Sequence, residues 1–303
     1  MAHVRGGSEA RNFAAFAGVL VLLVAAGVGL GAIFFGPPRE RVYDRSSPDA
    51  LLGAAREMVE NGEAERLTEL LHADGDGMRE LHARLGGVLG SLQSLALAIN
   101  ERFPEEVASI RAEAESAARS GRGYSLLQEL NPAARRSRRG QAEGEGRLNK
   151  ALQAIAADPY TWLTEAEGRL TYTPIDDERM AVLWDGKPVF PPFGLVLRQD
   201  QGQWSVALPL ASIPWLSRYM PQSPEEYAIW ASLIQMADNV VRDLEADVRG
   251  GRMQSLDALA RRAGEKAFVP MGMGMVAYEQ ARTDRRRREQ AAREAGEPSP
   301  GGG

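Results

Sequence analysis

The sequence predicts an α+β protein with an N-terminal transmembrane helix, a helical layer packed on a small antiparallel sheet, and C-terminal helices. Three observations lead to this fold class. The run from Phe13 to Phe35 carries no charged residue. Apolar residues in the helical region, residues 48–158, recur at helical spacing. After Arg169, apolar residues alternate with polar ones between glycine turns, which is typical of strands.

The predicted transmembrane helix covers residues 13–35, after an N-terminal tail of residues 1–12 and before a linker of residues 36–47. About 20 apolar residues in a helix cross a hydrocarbon core of ~30 Å, and a helix satisfies its backbone polar groups internally. A cleaved signal peptide is the alternative, but its apolar region is shorter, about 7–15 residues, and ends in a small-x-small site. This run ends in Ile33-Phe34-Phe35. We therefore predict an uncleaved anchor.

The anchor makes the lipid bilayer the first expected partner of the chain. Arginines flank both ends of the run, so the positive-inside rule does not decide the orientation; they are Arg5, Arg11, Arg39, Arg41 and Arg45. A short N-terminal tail ahead of a long domain is the usual layout of a signal anchor. We therefore expect a single-pass protein of the bacterial inner membrane, with its folded domain on the periplasmic side.

The helical region begins with a predicted helical hairpin. Ser47-Pro48-Asp49 combines a capping serine, a proline at the first helical position and an acid in the first turn. Asn61-Gly62 ends this helix, and a second helix is predicted from Glu63 to His72.

A longer helix follows, with an apolar seam spaced alternately by three and four residues. The seam consists of Met78, Leu81, Leu85, Val88, Leu92, Leu95 and Ile99. Gly86, Gly87 and Gly90 interrupt it at a cost of roughly 1 kcal/mol each, which indicates the close approach of another backbone. Two kinds of partner fit this helical seam: an antiparallel helix of the same chain, or a helix of a second copy or another protein.

The region of residues 159–280 is predicted to hold the sheet and the C-terminal helices. The predicted strands are Arg169–Thr173, Met180–Trp184, Phe193–Leu197 and Trp204–Leu208, the last two joined by a turn at Gly202. Ser223-Pro224-Glu225-Glu226 begins a helix with a capping box, and Gly250-Gly251 ends it. A shorter helix covers Leu256 and Leu259. Residues 281–303 form a charged, partly disordered tail that starts as helix.

Composition narrows the chemistry. The chain has no cysteine, which excludes disulfides, thiol catalysis and thiolate metal sites. Its net charge of −5 argues against nucleic acid as a partner. The three histidines, His3, His72 and His82, form no catalytic or zinc-binding motif. We therefore predict no catalytic residue, no cofactor and no metal.

Three features of the sequence can be interpreted as functional sites, but each also has a simpler structural interpretation. Asp176-Asp177-Glu178 offers paired carboxylates, which do acid–base work when burial separates their pKa values, but it lies in a predicted turn. Met271, Met273 and Met275 offer thioethers that suit Cu(I), but methionine also fills apolar gaps. The arginine-rich stretch 135–139 suits an anionic group, but it also reads as a solvated loop.

The order of helical hairpin, more helix and a final tryptophan strand, Gly202-Gln203-Trp204-Ser205-Val206, resembles the NTF2-like superfamily. The residues that carry the resemblance are Ser47 to Leu71 and Arg169 to Leu208. It implies a helical layer packed into a curved, cone-shaped sheet. Some members are enzymes with an Asp–His pair in the pocket, and others are binding modules. No such pair is placed in the pocket by the sequence, so the resemblance implies a binding module.

These observations together predict a membrane-anchored, non-enzymatic binding or scaffold protein of the cell envelope. The alternative is an NTF2-like enzyme or small-ligand-binding domain tethered to the membrane, working through carboxylates such as Asp176 or Asp177.

Overall fold

The computed structural model describes residues 41–109, 112, 168–188, 194–208, 217 and 219–294. The elements in order are α1 (Pro48–Glu60), a 3-10 helix (Ala64–Leu70), α2 (Asp76–Arg102), β1 (Leu170–Pro174), β2 (Arg179–Trp184), β3 (Lys187–Pro188), β4 (Leu195–Asp200), β5 (Gln203–Ala207), α3 (Pro224–Arg249) and α4 (Leu256–Glu294). Residues 104–109 are also helical. The predicted combination of helices with a small antiparallel sheet is confirmed.

Several sequence predictions lie wholly or partly outside these ranges, among them those for residues 1–12 and 36–40, for most of residues 110–158 and for the end of the tail, residues 295–303. The predicted transmembrane helix at residues 13–35 and the arginine-rich stretch at residues 135–139 lie outside the described residues. Among the helices that are described, none combines the length and the hydropathy needed to cross a bilayer.

The predicted hairpin forms, but its second arm is not an α-helix. Ser47 caps α1 by accepting a hydrogen bond from Ala50 N, and Gly62 leaves the helix with a φ of 77°. The predicted helix from Glu63 to His72 is instead the seven-residue 3-10 helix. It stops because Leu71 is extended and forms a parallel bridge with Val206 of β5. Leu71 and His72 therefore extend the sheet at its β5 edge instead of continuing the helix.

The sheet has the strand order β1-β2-β4-β5, with neighbours antiparallel and β3 paired to β2. The two-residue turns that join β2 to β3 and β4 to β5, Asp185-Gly186 and Gln201-Gly202, have positive φ at both central residues, as type I′ turns require. The first predicted strand starts one residue later than expected and the third starts at Leu195 rather than Phe193.

One face of the sheet packs on α1 and the 3-10 helix. Its residues pair across strands, with Tyr172 opposite Val182 and Val182 opposite Leu195. They form a single core with the buried side of α1, including Leu51 and Met58. A helical layer on a small sheet, as the sequence predicted, is therefore what buries this half of the fold.

The glycines of α2 lie where the sequence indicated a close approach. A Cβ on Gly86 would overlap the carbonyl oxygen of Glu65, and one on Gly90 would come within 3.3 Å of the Glu65 side chain. Gly87 has open space around it. Gly86 is therefore required at this position because the backbone of the 3-10 helix passes too close to α2 for any larger residue.

The helical seam of α2 is filled by α3 of the same chain. Met78, Leu81 and Val88 share a core with Ala231 and Ile234 of α3. Towards the other end, Leu95 and Ile99 share a core with Leu244 and Val248. The residue numbers rise together along both helices, so the pair is parallel. Of the two alternatives, a helix of the same chain is therefore correct, but the antiparallel direction is wrong, and the sequence did not indicate that the partner is α3.

The C-terminal helix is longer than the sequence predicted. In place of a shorter helix over Leu256 and Leu259, α4 is continuous for 39 residues and includes Pro270. It runs antiparallel to α3: Lys266 pairs with Asp243, and Arg285 pairs with Glu226. The start of the predicted tail, from residue 281 to residue 294, belongs to this helix, and Ala281 is buried.

Candidate functional site

An open groove lies between the N-terminal halves of α2 and α3 and is here named the α2–α3 groove. It encloses about 860 Å³. Its α2 side is formed by Gly77, Glu80, Leu81 and Arg84. Its α3 side is formed by Tyr227, Ala228, Ala231, Ser232, Gln235, Met236 and Asn239. Several of these residues are small, and a groove between two helices is a kind of surface that another helix fits.

Buried polar contacts fix the two walls of the groove relative to each other. Asp238 of α3 is almost fully buried and accepts a hydrogen bond of 2.5 Å from Ser91 Oγ of α2. Arg242 lies 2.9 Å from the other carboxylate oxygen of Asp238 and also donates to Ser91 Oγ across 3.2 Å. Because the buried carboxylate is both paired and hydrogen-bonded, the helices are held in one register.

The mouth of the groove lies at the N-terminal ends of both helices. Because α2 and α3 are parallel, the positive ends of their helix dipoles lie together. Gly77 allows this closeness, since a Cβ there would come within 3.0 Å of the Tyr227 ring. The Ser223 side chain caps α3 by accepting from Glu226 N, whereas Gly75 at the start of α2 offers no side chain for this role.

The rim of the groove is polar without a net charge. Glu80 and Arg84 form an ion pair of 2.9 Å on α2, and Gln235 and Asn239 contribute neutral amides on α3. A ligand held here would meet apolar and small groups below and hydrogen-bonding groups at both sides. This combination suits an amphipathic helix better than a strongly charged molecule.

A second cleft lies between the edge strand β5 and the start of α2, here named the histidine cleft. It encloses about 560 Å³ and is lined by Arg45, His72, Arg79, His82 and Asp200, among others. His72 Nε2 lies 3.2 Å from Asp74 Oδ1 and 3.1 Å from Arg198 Nη1. Burial, with a smaller contribution from the nearby His72, lowers the pKa of His82.

The sequence did not predict that His72 and His82 would meet. Ten residues apart, they do not lie on adjacent turns of one helix. The structure brings them together because His72 sits on the extended segment that joins β5, with its N–H donating to Val206 O. That segment turns at Gly75 into α2, which carries His82. Only this tertiary pairing with β5 places both rings in one cleft.

The His72–Asp74 contact in the histidine cleft lacks the burial that tunes catalytic pairs. The Asp74 side chain is 87% exposed, so its contact with His72 is open to water. Cationic and acidic side chains are mixed along the walls, which gives no clear ligand charge. No group of three histidine or acidic side chains among the described residues could hold a metal ion.

The other residues considered from the sequence do not converge on either cleft. Asp176 and Asp177 are exposed in the turn between β1 and β2. A hydrogen bond from Arg179 lowers the pKa of Asp176, which is the opposite of what a general acid needs. On α4, Met271 is buried and Met273 is 69% exposed, because residues two apart lie on different sides of a helix.

Comparison with protein-family models, curated proteins and solved structures found no match to this chain. The resemblance to the NTF2-like superfamily therefore stays a prediction.

Proposed function

We propose that this chain is a membrane-anchored, non-enzymatic binding or scaffold protein of the cell envelope that holds one amphipathic helix of a partner protein in the α2–α3 groove. The observation that carries the proposal is the groove itself: an open channel of about 860 Å³ between two helices whose register is locked. Helix-in-groove recognition uses a preformed apolar floor with polar edges.

The dipoles of the groove helices favour one direction for the partner. Two parallel neighbouring helices place like partial charges together at each end, which is mildly unfavourable. A third helix running antiparallel to them brings its negative C-terminal end to the mouth of the groove, near Gly75 and Ser223. The expected partner helix therefore enters with its C-terminal end at the starts of α2 and α3.

The anchor supports a binding role over a catalytic one. The apolar run from Phe13 to Phe35 would fix the position of the domain at the bilayer, which serves an assembly component. The helical seam is already filled by α3, so the groove beside it, rather than the seam, is the surface left to receive a partner.

The alternative function is a membrane-tethered domain that binds a small ligand or acts on one. The histidine cleft is the observation that favours it, because His72, Asp74 and His82 lie close together there. Asp176 and Asp177 are exposed in a turn. We therefore assign the alternative ligand site to the histidine cleft and not to these two residues.

Site-specific photo-crosslinking in native membranes tests the groove. A photoreactive phenylalanine derivative replaces Ser232, which is exposed in the groove, or Ala246, which is exposed on the same helix but outside it. We expect one crosslinked product from position 232 and none from position 246. The Ala228→Trp substitution fills the groove from an exposed position and should abolish the product.

The chemistry of the captured peptide decides the outcome. Support requires a segment with apolar residues at i, i+3, i+4 and i+7, whose synthetic copy binds the purified protein and not the Ala228→Trp variant. Equal crosslinking from both positions, or a captured segment without helical periodicity, contradicts the proposal. Absence of a product together with a small molecule retained in the histidine cleft favours the alternative.

A further inference from the structure

Arg41, close to the predicted anchor in the sequence, already makes contacts with the folded domain. Tyr43 is buried, and its hydroxyl donates to Glu63 Oε2 across 2.9 Å and accepts from Asn61 Nδ2 across 3.2 Å. Arg41 pairs with Glu63 at 3.2 Å, and Arg66 donates to the Arg41 carbonyl across 3.0 Å. Arg41 and Tyr43, which the sequence assigned to the linker, are thus fixed at the turn between α1 and the 3-10 helix.

Few residues therefore separate the fold from the apolar run. Only residues 36–40 lie between Phe35 and Arg41. Six residue steps span at most about 20 Å when fully extended. The headgroup layer adds roughly 5–8 Å on each side of the hydrocarbon core, so Arg41 cannot lie far above it.

The surface next to this attachment point is formed by Val42, Asn61 and Gly62, and is here named the tether corner. The geometry points to the tether corner as a surface that lies against the lipid headgroups of the bilayer holding the anchor. The Val42 side chain is 94% exposed although it follows directly on a residue fixed to the fold. Asn61, which donates to the hydroxyl of the neighbouring Tyr43, and Gly62 are also exposed. An apolar side chain with polar neighbours suits the headgroup boundary.

This inference rests on the proposed anchor and adds an orientation to it. The structure supplies a surface that should stay away from the bilayer. Behind the 3-10 helix come α2, then α3, then α4, and Gly274 of α4 packs against Leu233 of α3. Val276 is 69% exposed on the side of α4 that faces away from α3. With helix axes 8–10 Å apart, it lies roughly 25 Å from the 3-10 helix.

Fluorescence quenching on the full chain tests the orientation. The chain has no cysteine, so Val42→Cys and Val276→Cys each accept one label and are the same substitution at two exposed sites. Each variant is reconstituted into phosphatidylethanolamine–phosphatidylglycerol vesicles that carry a nitroxide-headgroup lipid. We expect quenching at position 42 to exceed that at position 276 at least about twofold, because the short tether limits its distance from the headgroups.

Lengthening the tether checks the cause. An insertion of about fifteen Gly and Ser residues between Glu40 and Arg41 adds roughly 20 Å of reach and should bring the quenching ratio close to one. An unchanged ratio would overturn the tether as the cause.

Flotation of the vesicles separates this inference from the proposed anchor. A chain that floats with the vesicles but shows equal quenching at both positions, or stronger quenching at position 276, keeps its anchor and overturns the tether corner. A chain that does not float overturns both.

Discussion

Arg285 of α4 donates a hydrogen bond of 2.6 Å from Nε to Oε1 of Glu226 on α3, and the Glu226 side chain is 0% exposed. The other carboxylate oxygen accepts from Gln222 N across 2.8 Å. Glu226 was predicted to close a capping box on Ser223. It caps the preceding residue instead and ties α4 to the start of α3. The helix α4 therefore stays with the fold well into the predicted tail.

Glu226→Ala should destabilise the protein by about 3 kcal/mol, because removing one partner leaves the Arg285 charge poorly compensated in a mostly buried place. The value lies at the low end of the range since Arg285 keeps its 2.6 Å contact with Glu289. Glu225→Ala is the matched control: its pair with Arg288 is exposed and should contribute less than about 1 kcal/mol. Urea unfolding measures both. Equal losses of unfolding free energy in the two variants would show that the buried pair contributes no more to stability than the exposed pair.

Gly86→Ala and Gly87→Ala should change stability in opposite directions. An alanine Cβ at position 86 overlaps the Glu65 carbonyl, so the 3-10 helix must shift, at a cost of about 1–3 kcal/mol. At position 87 the Cβ meets open space, and alanine should stabilise the helix by roughly 0.5–1 kcal/mol. Thermal unfolding of the two variants compares neighbouring glycines in the same helix. A stabilised Gly86→Ala variant would contradict the close packing of the 3-10 helix on α2.

Asp247 should make the fold sensitive to acid. Burial on its own would raise the pKa of this carboxyl, but a hydrogen bond from Arg252 and the charge of Lys266, whose Nζ lies 3.4 Å from Oδ2, outweigh it, and the pKa in the folded state is lowered. A lowered folded pKa adds stability above the unfolded pKa of about 3.9, and this stability is lost as the pH falls through the lower folded value. We expect Asp247→Asn to be less stable at neutral pH.

The matched comparison for Asp247 is Asp177→Asn, in the exposed turn between β1 and β2. The free energy of unfolding of the wild type, measured by urea titration between neutral pH and pH 2, should fall more steeply below pH 4 than that of Asp247→Asn. The Asp177→Asn variant should follow the wild type. If the unfolding free energies of all three proteins fall with pH in parallel, Asp247 does not contribute to the loss of stability in acid.

Local signals in the sequence predicted much of this fold. Ser47, Gly62, Gly202 and Ser223 mark element ends by capping or by positive φ, and such rules act within a few residues. The seam of α2 was visible because its period is also local. The identity of its partner was not, because Ser91 and Asp238 are 147 residues apart in the chain. A heptad pattern shows which side is apolar and does not show what covers it.

The candidate sites were harder to predict for the same reason. The α2–α3 groove exists only where two distant helices lie side by side, and the small residues that shape it, such as Ala228 and Ser232, carry no motif. The histidine cleft depends on the bridge between Leu71 and Val206. The sequence predicted helix at Leu71, but the structure has an extended residue there that pairs with β5. The backbone hydrogen bond from His72 N to Val206 O fixes the chain there in an extended conformation.

Leu85→Asp should unfold the protein rather than release a partner. Leu85 belongs to the seam and is only 9% exposed, so the substitution buries a carboxylate without a counter-charge, at a cost of several kcal/mol. Ala83→Asp introduces the same group at an exposed position two residues earlier in α2 and should leave stability within about 0.5 kcal/mol. Circular dichroism and urea unfolding of both variants provide the measurement. A folded Leu85→Asp variant of normal stability would mean that the seam is not packed at Leu85, and this part of the seam would then be open to another protein.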